Sequence, residues 1–174
     1  DEPTNQVSLA KAGGLQHLVG WLSNPAPEVQ VSAARAMLSV ASNNATTQAL
    51  VGRLGGVPAL IKLLTGGLLE AREHACCCLW HLASPGDAGE ANRALVFDDG
   101  GIPPLVGLLV SDSELACELA AMTLIRLAEG SSRIAMQVAK VGGIAPLVRL
   151  LIAGRPSLQQ NAAACLAAVA RVAK

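Results

Sequence analysis

Tyrosine is absent from these 174 residues, and aromatics amount to 2%: Trp21, Trp80 and Phe97. Single-stranded nucleic acids are held largely by bases stacked on aromatic side chains, so this scarcity speaks against such ligands. An excess of one charge is lacking too. Thirteen basic and thirteen acidic residues leave no formal net charge, and no basic run stands out. Proteins that neutralise phosphates carry a basic surplus, so no nucleic-acid partner is expected. Charged residues make up only 15% of the chain and apolar ones 52%. Disorder needs the reverse, low hydrophobicity with high net charge. The core must be built from Leu, Val, Ile and Ala, with small side chains letting helices approach closely.

Long apolar runs are missing as well. A membrane span needs about 18 or more uninterrupted apolar residues, and Lys62, Lys140, Arg149 and glycine pairs break the best candidates. No membrane span is expected. No signal-peptide pattern is present and the first residue is Asp1 rather than Met, which suggests a piece of a longer chain. The five cysteines are Cys76, Cys77, Cys78, Cys117 and Cys165. An odd count with three in a row is a poor disulfide framework, because helical neighbours point in different directions. They read as small buried apolar side chains in a reducing compartment, cytoplasmic or nuclear. Asn44-Ala45-Thr46 is a formal glycosylation sequon, a triplet common by chance.

What is present is a repeat. Glycine pairs stand at Gly13-Gly14, Gly55-Gly56, Gly100-Gly101 and Gly142-Gly143, spaced by 42, 45 and 42 residues. Each opens a near-copy of one segment: Leu15-Gln16-His17-Leu18-Val19, Val57-Pro58-Ala59-Leu60-Ile61, Ile102-Pro103-Pro104-Leu105-Val106 and Ile144-Ala145-Pro146-Leu147-Val148. A period in the forties with helical patterning inside it marks an α-solenoid. Stacked repeats make long binding surfaces rather than catalytic pockets. The repeats run over about 1–42, 43–84, 85–129 and 130–174, as one domain.

Three helices fit each repeat. A short first helix precedes the glycine pair, at 5–12, 46–54, 91–97 and 133–141. The second follows it, at 15–23, 57–65, 102–110 and 144–152. Pro58, Pro103, Pro104 and Pro146 fall in its first turn, where a missing N–H is harmless. The third is amphipathic, at 27–42, 69–84, 112–129 and 157–172. Pro27 and Pro156 open two of these, and Ser111 or Asp112 is the expected cap of another. Glu28, Glu70 and Glu114 favour the positive end of the helix.

Ala116, Ala120, Thr123, Leu124 and Leu127 recur at three- and four-residue steps, marking a buried face. Ala71, Ala75, Cys78, Leu79 and Leu82 match them, as do Leu158, Ala162, Cys165, Leu166 and Val169. The glycine pair is expected to bend the chain with a positive φ.

A three-helix repeat of this length, reading Gly-Gly-Ile-Pro-Pro-Leu-Val over 100–106 and Ala-Ala-x-x-Leu-x-x-Leu-Ala over 120–128, resembles the armadillo repeat. The resemblance covers nearly the whole chain and implies an all-α, right-handed superhelical solenoid of about four repeats. HEAT repeats have two helices per unit and lack the glycine-pair turn. The resemblance also implies that the third helices line a concave groove. Peptide-binding members carry an Asn there, with a Trp one turn earlier in importin-like ones. The Asn places here hold Ser39, His81, Arg126 and Ala168, and the Trp places hold Arg35, Cys77, Met122 and Ala164. An Asn ladder supplies paired donors and acceptors to an extended backbone. This chain has none at those places, so any binding in its groove is expected to use other chemistry.

The groove candidates are therefore Arg35, Ser39, Glu73, Cys77, Trp80, His81, Glu118, Met122 and Arg126. Trp80, Met122 and Arg126 suit anchoring of a partner peptide or helix. The plainer alternative is that Trp80 packs between third helices and the charges are solvated. His74, Cys78 and His81 share a helix at metal-ligand steps, but no fourth ligand accompanies them. Cys77 and His81 lack an orienting third group for nucleophilic chemistry. No metal, cofactor or catalytic residue is expected. Residues 84–90, Ser-Pro-Gly-Asp-Ala-Gly-Glu, carry the three extra residues and read as an inter-repeat loop. The last helix, rich in small apolar residues on nearly every side, leaves an apolar C-terminal end that either further repeats or another subunit would cover.

The function expected is a non-catalytic scaffold or adaptor that binds a protein or peptide partner through the groove. The alternative is the substrate-recognition segment of a larger regulatory protein, such as an armadillo-repeat ubiquitin ligase.

Overall fold

The computed structural model describes residues 3–171, and among them it is all-helical. Four sets of three helices follow in chain order: α1 (Pro3–Lys11), α2 (Gly14–Trp21) and α3 (Pro27–Ala41); α4 (Ala45–Arg53), α5 (Gly56–Gly66) and α6 (Leu69–Leu82); α7 (Asp87–Asp98), α8 (Ile102–Leu108) and α9 (Glu114–Ala128); α10 (Ser132–Lys140), α11 (Ile144–Ala153) and α12 (Pro156–Ala170). They form two compact units that divide between Asp99 and Gly100. In the first, α3 packs along α6, α4 along α7, and α5 against α6. In the second, α12 packs on both α9 and α11, and α8 lies against α9.

The glycine pair turns the chain between the first and second helix of each repeat. Its first member has φ between 73° and 81° in all four repeats, a left-handed conformation that side chains with a Cβ resist. The second member is glycine for a different reason. A Cβ on Gly56 would lie 2.9 Å from the Val51 carbonyl oxygen, and one on Gly143 would lie 2.8 Å from that of Val138. The bend and the close approach thus fall on adjacent residues. Among the described residues no single helix is long and apolar enough to cross a membrane. The pairs α4–α5 and α10–α11 reach the length only together, and they bend by 79° and 84° at the glycines.

Helix starts refine the sequence reading. The cap of α9 is neither Ser111 nor Asp112 but Ser113, whose hydroxyl accepts from the Ala116 N–H at 3.1 Å. Ser111 Oγ instead accepts from the Ser113 N–H at 3.2 Å, shaping the approach to the helix. Asn44 and Ser131 cap α4 and α10 in the same way. The segment 84–90 is not a loop throughout. Asp87 begins α7, so the three extra residues add a turn to its start rather than a surface excursion. Gly86 supplies the break at φ 110°, and Asp87 and Glu90 favour the positive end of the helix.

The cores are aliphatic, as the composition requires. Leu15, Leu22, Met37, Leu60, Leu79 and Leu82 are fully buried in the first unit, and Ile102, Leu105, Leu109, Leu124, Leu127 and Leu147 in the second. Polar pins finish the third helices, whose last carbonyls have no partner within the helix. Thr47 Oγ1 donates to Val40 O at 2.7 Å, and Gln48 Nε2 to Ala41 O at 2.9 Å. One repeat later, Asn92 Nδ2 donates to Leu82 O at 3.0 Å and Arg93 Nη1 to Ala83 O at 3.1 Å.

Candidate functional site

The third helices present their buried faces to the core, and the residues between those positions remain open. On α3, Arg35 and Ser39 are exposed. On α6, Glu73, Cys77, Trp80 and His81 are half-buried. Because α3 packs along α6 and the repeat is 42 residues, Arg35 stands in register with Cys77 and Ser39 with His81. These six candidates share one unit. Glu118, Met122 and Arg126, all half-buried, stand on α9 in the second unit.

Local bonds fix part of this surface. Ser39 Oγ donates to the Arg35 carbonyl at 3.2 Å, one turn back. The Ser39 carbonyl itself accepts from Gln6 Nε2 of α1 at 2.8 Å. Gln6 also accepts from Asn44 Nδ2 at 2.9 Å, tying α1 to the cap of α4. The Trp80 and His81 rings meet edge to face, with centroids 4.8 Å apart and planes at 83°. Trp80 is therefore braced by its neighbour while part of its indole stays accessible.

The thiols are held neutral. Burial pushes Cys78 and Cys77 up, the charge of Cys77 adding to the effect on Cys78, and it pushes Cys165 up to about 12. A nucleophilic cysteine needs the reverse shift. His74 Nδ1 lies 2.8 Å from the Glu70 carbonyl of its own helix, and Cys78 is fully buried. Among the described residues no three His, Cys, Asp or Glu side chains gather as a metal site.

Some exposed features escaped the sequence reading. In the second unit a cleft of about 520 Å³ lies along α9 and α12, where Ile125, Ala167 and Arg171 join the expected groove positions Ala164 and Ala168 in its lining. Ile125 is one repeat of 45 residues beyond Trp80, so the register was available as a signal. Trp21 is exposed on α2, although nothing but its residue type set it apart.

The family model described as Armadillo/beta-catenin-like repeat matches residues 43–84 and 131–167. Vacuolar protein 8 of Candida albicans is 30% identical over 155 residues, covering 88% of this chain and 26% of that protein. E3 ubiquitin-protein ligase SPL11 of Oryza sativa subsp. japonica is 31% identical over 83 residues, 48% of this chain and 12% of that protein. The chain thus spans about a quarter or less of these relatives. A designed armadillo repeat protein in complex with peptide (KR)4 superposes with a TM-score of 0.86 at 25% identity, covering 97% of this chain and 70% of that one. The all-α solenoid class expected from the 42-residue period is the class of that structure. With the glycine-pair turn and the three-helix unit in all four repeats, the chain is built of armadillo repeats.

Proposed function

We propose that this chain is a non-catalytic protein-binding segment whose third-helix surface takes part of a protein partner. The observation that carries this reading is the register of accessible side chains on α3 and α6, with the braced, half-buried Trp80 beside them. Tryptophan and arginine are the residue types that most often anchor interfaces. The designed neighbour in complex with peptide (KR)4 supports a peptide segment as the ligand. In the first unit Arg35 is exposed and Glu73 half-buried, so a partner segment lying there meets charge of both signs. The five free thiols, four of them buried, suit a reducing compartment.

Affinity capture with the wild-type chain and with Trp80→Ala and Arg126→Glu tests this reading. Proteins recovered by wild type and lost with either variant, at unchanged helicity, support it. An identical set with all three overturns it.

A second reading, favoured by the similarity to the rice ligase, makes this chain the recognition segment of a larger regulatory protein whose catalytic part lies outside these residues. Incubating the full-length protein with ubiquitin and its activating and conjugating enzymes tests that reading. Absence of ubiquitin transfer rejects it.

A further inference from the structure

Apart from the third helices, the first helices of the second and third repeats leave a cleft of about 430 Å³ between them. It lies inside the first unit, where α4 packs on both α1 and α7. The cleft is open because its walls are small: Ala49 and Gly52 face it from α4, and Ala88 and Ala91 from α7. Asn92 lies at its floor. This residue is 2% exposed, and its Nδ2 donates to the carbonyls of Gln48 and Leu82. Its Oδ1 accepts from no donor among the described residues, yet it is not sealed from solvent. Gly52 explains the opening, because a Cβ there would collide with Asn92 Oδ1. A deeply buried acceptor thus reaches the cleft through the space that a side chain at 52 would fill.

Charge lies at the two ends of the cleft. The helices α4 and α7 run the same way, since Gln48 meets Asn92 and Gly52 meets Leu95. Arg53 closes α4 and Asp87 opens α7, so along the cleft they stand on opposite sides of Asn92. Both are exposed, and neither is paired with another charge among the described residues.

We infer that this cleft takes a tryptophan side chain from a partner peptide, with a basic residue towards Asp87 and an acidic one towards Arg53. An amide oxygen at the floor of an apolar cleft is matched by an uncharged side chain that donates without needing to accept. Lysine or arginine would bring charge against the alanines. The hydroxyls of serine, threonine and tyrosine, and the amides of asparagine and glutamine, carry acceptors of their own. Tryptophan is the one large side chain whose N–H only donates and whose ring is apolar, and it is a frequent interface anchor. The two rim charges complement the flanking residues and set the direction of the segment. This contact uses first helices only, so it stands or falls separately from binding at the third helices.

Titrating the isotope-labelled chain with the end-blocked peptide Lys-Ala-Trp-Ala-Glu, followed by nuclear magnetic resonance, tests this. The amide signals of Ala49, Gly52, Ala88 and Ala91 should shift, and those of Ser39 and His81 should stay in place. Naphthylalanine in place of the tryptophan keeps a fused ring without the N–H, and should bind about tenfold more weakly. Ala91→Leu, at an exposed position, should keep the circular dichroism of wild type and lose the shifts by filling the cleft. Arg53→Glu should weaken the peptide, and exchanging the peptide's Glu for Lys should restore it. If Ala91→Leu disturbs the fold, that charge exchange decides in its place. Shifts confined to the third helices, no saturable shift, or equal affinity for the naphthylalanine peptide overturn the inference. So does an exchanged peptide that fails to rescue Arg53→Glu.

Discussion

The side-chain amide of Asn92 donates to the carbonyl of Leu82 at 3.0 Å, joining α7 to the last turn of α6. Its nitrogen also reaches the Gln48 carbonyl at 3.2 Å, and the residue is buried. Thr47 holds the equivalent place one repeat earlier through Val40. Asn92→Ala removes both bonds and leaves the Leu82 carbonyl buried without its donor, a loss of about 1–3 kcal/mol. The urea midpoint should fall with little change in the slope. Asn92→Thr, which borrows the solution of the preceding repeat, should recover part of the loss.

The glycine pair yields a prediction that separates its two members. Gly55 sits at φ 78° with open space where a Cβ would go. Gly55→Ala should lose about 1–2 kcal/mol to the left-handed backbone, and Gly55→Asn should lose less, because Asn enters that region more readily. Gly56 meets the Val51 side chain and carbonyl, so Gly56→Ala and Gly56→Asn should both be severe. Val51→Ala would relieve the side-chain clash but not the one with the carbonyl. Thermal melts of the four variants give the comparison.

The repeat was readable because its punctuation is chemical: only glycine accepts the turn, and proline is harmless in a first turn. The start of α7 was not readable. Pro85, Gly86 and Gly89 look like breakers, yet only Gly86 breaks. Gly89 lies inside the helix, where a Cβ would run into the Ser84 carbonyl. Packing demanded that glycine, and a sequence does not distinguish packing from bending. The cap of α9 failed by one or two residues, because Ser111, Asp112 and Ser113 are all good caps and backbone geometry chose among them. On the third helices, helical spacing separated buried from open positions on α6 and α9, whereas Leu166 of α12, expected on the buried face, is half-buried. Spacing could not foresee the contact of Trp80 with His81, since consecutive helical residues ordinarily point apart.

That contact has a measurable energy. Rings meeting at 83° with centroids 4.8 Å apart have the edge-to-face geometry worth about 0.5–1.5 kcal/mol beyond simple burial. A double-mutant cycle with Trp80→Leu and His81→Ala should return a coupling of that size. Zero coupling would show that the two rings are adjacent without supporting each other, and Trp80 would then lose its brace as an anchor.

The thiols make stability depend on pH at the alkaline end. Burial raises Cys165 from an ordinary 9.0 to about 12 and raises Cys78 further. Above pH 9 the unfolded chain gives up these protons while the folded chain keeps them. Unfolding then releases protons, and stability falls as pH rises. Their contribution is complete below pH 9 and is lost between 9 and the folded values, by about 1.4 kcal/mol per pH unit for each such thiol. Urea titrations at successive pH values should show that decline, and Cys165→Ala should make it shallower by one thiol's share. The same variant should be less stable at neutral pH, because removing the sulfur leaves a gap in a buried position. A variant weaker at pH 7 yet flatter above pH 9 has no explanation in packing alone, so the two slopes isolate the effect of burial on the thiol itself. At neutral pH iodoacetamide should modify Cys77 first and slowly. The other four cysteines are buried and should react only when the fold opens.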